Sequence, residues 1–150
     1  MRFRFLPLLL LVACASSITP KSNSREEIVA YVNRAADLVR ARGAACATLA
    51  TPEWYSGDWY IFVFDGEGRT VCHPAKPEMV GTPAADLVDP NGKRFGDEFL
   101  RVASAGGGWV EYAWPRPGET ASAAKSAYVR QVTSADGKTY VVGSGGYEPR

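Results

Sequence analysis

The run Trp59-Tyr60-Ile61-Phe62-Val63-Phe64 is apolar or aromatic at every position. A strand built from it turns large side chains to both faces of a sheet, so each face needs a cover. That requirement excludes a single sheet with one wet side. Asp65-Gly66-Glu67-Gly68 follows, and then a second strand-like run from Arg69 to His73. Two such runs around an Asp-Gly pair predict an antiparallel hairpin. The hairpin ends on Cys72-His73, and His73 is the only histidine in 150 residues.

The covers can be sought on either side of the hairpin. Ser24 followed by Glu27 is a capping box, and Ile28, Tyr31, Val32, Ala35 and Val39 recur at helical spacing. Together they predict an amphipathic helix over 25–42 that stops at Gly43. After the hairpin, residues 74–93 carry four prolines and two glycines, and Asp89-Pro90-Asn91-Gly92 is a turn cluster. Phe95, Phe99, Val102 and Ala103 then mark a second helical stretch, halted by Gly106-Gly107-Gly108. Three further strand-like runs follow, Trp109 to Trp114, Lys125 to Val132 and Thr139 to Ser144. The fold class this predicts is α+β: a long N-terminal helix on a five-stranded antiparallel PAS-like sheet, with small helices between strands two and three. At 46% apolar residues the chain can bury one core, so one domain is expected.

The N-terminus carries Arg2 and Arg4 ahead of an apolar stretch from Phe5 to Ala13. It is too short to span a bilayer and suits an export signal. Leu11-Val12-Ala13-Cys14 resembles the lipobox of bacterial lipoproteins, in which the cysteine is acylated and becomes the first mature residue; ordinary cleavage after Ala13-Cys14-Ala15 is the alternative. Removing residues 1–13 takes away two arginines and no acid, leaving 15 basic against 16 acidic residues. No basic footprint for nucleic acid exists. With Cys14 lipidated, Cys46 and Cys72 are an even pair in an oxidising compartment, which predicts a disulfide; two free thiols are the other possibility. Residues 14–23 are small and polar and read as a tether, residues 24–147 as the domain, and residues 148–150 as a short tail.

Taken together, WYIFVFDGEGRTVCHPAKPEMVG, DPNGKRFGDEF, GGGWVEYAWPRPG, KSAYVR and VVGSGGY, in that order, resemble the single Cache domain family. This is the PAS-like sensing domain found outside the cytoplasm in chemoreceptors and histidine kinases. The resemblance runs over about residues 25 to 147. It implies a pocket on one sheet face, roofed by the segments between strands two and three, that binds a small molecule, often a short carboxylate, without turnover. The positions matching the family's pocket-side pattern are Tyr60, Phe62, His73, Tyr112, Trp114, Lys125 and Tyr128. Tyr60 and Phe62 share a parity, as do Tyr112 and Trp114, but Lys125 and Tyr128 are three apart and cannot both face one side of a regular strand. Sensors of the family continue into a membrane span and signalling domain, whereas three residues follow Tyr147 here. The expectation is therefore an exported, membrane-anchored lipoprotein, with a soluble periplasmic form as the alternative, that passes its signal through a separate receptor or kinase.

Competing roles for the same residues are plain. Cys72 and His73 are neighbours on a strand, point to opposite faces and cannot share a proton, so a catalytic pair is not expected. Cys46, Cys72 and one histidine make no recognisable metal set, and no cofactor is implied. No acid–base cluster suggests an enzyme. His73 serves equally as a strand-end cap before Pro74, the aromatic residues as plain core, and Lys125 as a solvated strand start. The alternative function is a structural or protein-interaction domain whose pocket has filled in. Mass spectrometry of the mature N-terminus tests the anchor: acylated Cys14 as first residue is the expected result, and an unmodified start at Ser16 in the soluble fraction overturns it.

Overall fold

The computed structural model describes residues 17–148, so the export segment and Cys14 lie outside the described residues. Helix α1, Arg25–Arg42, starts where the capping box places it: the Ser24 side chain accepts the Glu27 N–H at 3.2 Å. The Glu27 carboxylate does not close the box on Ser24. It accepts from the Lys21 and Ser22 N–H groups at 2.6 and 3.0 Å and so ties the preceding segment to the helix start. Those backbone hydrogen bonds hold its carboxyl below the usual range. At the other end the Gly43 N–H donates to Val39 O at 2.8 Å.

Five antiparallel strands form one sheet: β1 Phe62–Asp65, β2 Thr70–Cys72, β3 Gly108–Pro115, β4 Ser122–Thr133 and β5 Thr139–Tyr147, in the order β2-β1-β5-β4-β3. The prediction of a doubly covered first strand holds. On one face Ile61, Val63 and Val142 pack under Tyr31, Val32, Ala35 and Val39 of α1. On the other face Phe62, Phe64, Val110 and Val129 meet Phe95 and Phe99 of a second helix, α2, Phe95–Ser104. The outer edge of β2 is not left bare. Thr70 exchanges backbone hydrogen bonds with Gly81 and Thr82 at 2.8 and 2.9 Å, within a crossing that holds short 3-10 turns at Pro77–Met79 and Ala84–Asp86. Gly96 lets the second turn seat against α2, since a Cβ there would lie 2.0 Å from Ala84 O.

Three strand boundaries depart from the sequence pattern by three residues each; one is the start of β4, at Ser122 instead of Lys125. The first strand begins at Phe62 instead of Trp59, because the Ser56 and Trp59 backbones bond to each other across a tight turn at 3.1 Å. The last strand runs on past Ser144 to Tyr147, through Gly145 and Gly146. The glycines of β5 are close-packing positions: a Cβ on Gly143 would lie 2.4 Å from the Phe62 ring.

The predicted Cys46–Cys72 disulfide is present, with Cα atoms 5.0 Å apart. It joins the single turn Cys46–Leu49, which follows α1, to the end of β2. Closing 26 residues restrains the unfolded chain by roughly 3 kcal/mol. The double variant Cys46→Ser/Cys72→Ser should lose about that much in a urea titration under oxidising conditions; an unchanged midpoint would show that the bridge contributes nothing.

Candidate functional site

β4 places Lys125 directly opposite Tyr112 of β3 and Tyr147 of β5, so the three side chains share one sheet face. Tyr60 enters from the segment before β1. That segment has no ladder of its own, and the buried Ser144 hydroxyl holds it by donating to Tyr60 O at 2.7 Å. The result is a lysine in a cage of tyrosines. Lys125 Nζ donates to the Tyr60 hydroxyl at 2.9 Å and lies 4.3, 4.7 and 6.0 Å from the ring centres of Tyr60, Tyr147 and Tyr112.

No carboxylate among the described residues lies within ion-pair reach of this ammonium, although Lys125 is only 2% exposed. Burial is the main reason its pKa falls to about 7; the Asp58 charge opposes the fall and that of Lys76 assists it. Burial likewise pushes the Tyr60 and Tyr112 hydroxyls well above their ordinary range, so they remain hydrogen-bond donors.

His73 stands just past β2 with its ring 4.7 Å from that of Tyr60 and 6.3 Å from that of Trp114. Its Nδ1 accepts the Lys76 N–H at 3.0 Å, so the neutral ring carries its proton on Nε2. Burial first, and then the Lys125 charge, lower its pKa to about 3. Next to it Phe62, Phe95, Phe99, Met79 and Trp114 close around a cavity of only about 10 Å³, which is room for one water. At the rim Lys76 Nζ sits 4.6 Å above the Trp114 ring.

Six of the seven positions expected in the pocket therefore come together: Tyr60, Phe62, His73, Tyr112, Trp114 and Lys125. Tyr128 does not. It faces the α1 side of the sheet, where its ring lies 5.6 Å from Trp109, because β4 is regular here and residues three apart point to opposite faces. Sequence reading passed over Tyr147, which completes the cage. Its signal was the cross-strand register with Lys125, hidden by the glycines before it. Arg116 was passed over as well. It lies past the end of β3, is 8% exposed, and pairs with Asp58. Among the described residues no group of His, Cys, Asp and Glu could hold a metal, and no helix is long and apolar enough to cross a membrane.

The sequence pattern of the family described as Single Cache domain 2 matches residues 22–148. The chain is 36% identical over 101 residues to the sensor histidine kinase MctS of Rhizobium johnstonii, which covers 67% of this chain and 21% of that protein. It thus spans about a fifth of that relative's length. A solved structure described as the periplasmic sensor domain of a chemotaxis protein superposes with a TM-score of 0.62 at 34% identity, covering 83% of this chain and 90% of that one. Another, described as the structural basis for carboxylic acid recognition by a Cache chemosensory domain, gives 0.55 at 29% identity and covers 63% of each.

The depressed His73 pKa has a stability consequence. The group is neutral in the fold down to about pH 3 and titrates near 6.5 when unfolded. Its contribution is therefore present above pH 6.5 and is lost as pH falls toward 3. Unfolding free energy should drop by about 1 kcal/mol per pH unit between pH 6.5 and 5, a window in which ordinary carboxylates stay ionised. His73→Gln should flatten that window in urea titrations; an equal slope in wild type and variant would place the loss elsewhere.

Proposed function

The chain belongs to the single Cache domain 2 family of extracytoplasmic sensing domains, and on that premise we propose that it binds a short carboxylate against Lys125 without transforming it. The observation that carries this reading is the caged ammonium itself, almost wholly buried, with one neutral hydrogen-bond partner and no paired acid among the described residues. A buried charge without a partner is costly, and a carboxylate supplies the missing half of the pair. Tyr60, His73 through Nε2–H, and Tyr112 add neutral donors suited to carboxylate oxygens. Phe62 and Trp114 furnish apolar walls for a short carbon chain. The carboxylic-acid recognition described for the similar Cache structure supports the same ligand class.

The Leu11–Cys14 motif and the polar residues 14–23 support the further proposal that a lipid on Cys14 holds the domain at a membrane outside the cytoplasm. Its kinship with a region of a sensor kinase supports transmission through a separate receptor or kinase partner.

One observation favours the competing reading, a protein-interaction domain with a filled pocket: the aromatic walls leave only about 10 Å³ between them. Calorimetric titration with acetate, propionate and lactate separates the two. Lys125→Met keeps the buried stem and removes the charge, and should weaken binding by on the order of 2 kcal/mol, about thirtyfold. Pairing with a carboxylate raises the Lys125 pKa, so binding takes up a proton and affinity should fall as pH rises above about 7. Equal affinity in wild type and variant would move the site off Lys125, and no binding by any of the acids would favour the interaction domain.

A further inference from the structure

The acid nearest in effect to Lys125 is present but engaged elsewhere. Asp58 lies in the tight turn between Ser56 and Trp59, and its negative charge acts on Lys125. Its carboxylate is taken by Arg116, a guanidinium 9% exposed. Arg116 is itself held at three points. It pairs with Asp58, donates to Glu148 O at 2.5 Å, and lies 4.7 Å from the centre of the Tyr147 ring. Lys125 Nζ lies 4.7 Å from that same ring centre. Arg116 and Lys125 thus share one tyrosine, and only Arg116 has the acid.

We infer that Arg116 is a positioning residue for anion binding: it withdraws the Asp58 carboxylate and so keeps the Lys125 ammonium available to a ligand. This rests on the carboxylate-binding reading and extends it to a residue outside the pocket. A carboxylate tethered next to a buried ammonium competes at an effective concentration in the millimolar range or above, so a small acid at lower concentration would lose to it. The Asp58 side chain is 33% exposed, and Arg116 is the side chain it pairs with. Arginine suits the task because its planar fork holds a carboxylate with fixed geometry and keeps its charge at every relevant pH. Asp89, Glu111 and Glu148 line an open cleft that Lys125 also borders, but Asp58 is the acid whose charge acts on the lysine. Tyr60, Tyr112 and Tyr147 are kept protonated by burial, His73 is neutral, and Lys76 carries a positive charge. The Glu119 charge acts on Tyr147.

Two measurements test this, one of them without a ligand. In protein carrying 13C-lysine, with Lys125→Met for assignment, the Lys125 titration midpoint should rise by about one pH unit or more in Arg116→Gln, as Asp58 turns to it. It should return toward the wild-type value in Asp58→Asn/Arg116→Gln. Acetate affinity, read by calorimetry, should fall at least about tenfold in Arg116→Gln and recover to within about threefold in the double variant. Asp58→Asn alone should bind acetate within about threefold of wild type. An unchanged midpoint in Arg116→Gln overturns the inference, as does a double variant no better than the single one, which would make Arg116 a structural clamp. Loss of binding in Asp58→Asn overturns it too, and that variant leaves the arginine's other contacts intact. If wild type binds no acetate, the carboxylate reading fails while the midpoint still decides the role of Arg116.

Discussion

Every other element is arranged around β5, which is buried on both faces from Val141 to Tyr147 and hydrogen-bonded along both edges. A strand in that position needs two layers of cover. Helix α1 provides one through Tyr31, Val32, Ala35 and Val39, and the crossing with α2 provides the other through Phe95 and Phe99. The alternation of residues along the central strands divides the molecule into two separate cores. One is sealed by α1 and fastened by the Cys46–Cys72 bridge; the other opens toward the pocket segments. Cys72 and His73 show the division at the scale of one peptide, the bridged sulfur committed to the first core and the imidazole to the second.

The second core differs from the first in that polar atoms stand inside an aromatic wall. Lys125, His73 and the tyrosine hydroxyls are buried there with few partners, and each departs from its ordinary titration in the direction that burial dictates. Such an arrangement is poor for stability, because a leucine in place of Lys125 would fill similar space with no desolvation cost. Retaining a cation in that place makes sense for a site whose partner arrives from outside. The ion pair of Arg116 with Asp58 fits the same economy of charge, as it satisfies an acid whose charge acts on the lysine.

Local signals in the sequence located α1 to the residue, since Ser24 with Glu27 and Gly43 with the preceding turn are caps made by neighbours in the chain. They located the β1–β2 hairpin for the same reason, and the unbroken apolar run ahead of Asp65 already required a sheet covered twice. The starts of β1 and β4 and the end of β5 were not legible. Trp59 and Tyr60 have strand composition but are drawn out of the ladder by a turn with Ser56, and Gly145 and Gly146 look like breaks yet fit under neighbouring strands.

Of the pocket, the sequence by itself determined which chemical groups were available and which of them shared a face: two-residue periodicity paired Tyr60 with Phe62 and Tyr112 with Trp114, and forbade Lys125 and Tyr128 from pointing together. It could not choose between those last two, because the choice depends on which face of β4 receives α1. Nor could it bring Tyr147 and Arg116 to the lysine. Those contacts span 22 residues between Lys125 and Tyr147 and 58 between Asp58 and Arg116. Strand register and a closed turn set them, and both exist only once the sheet has assembled.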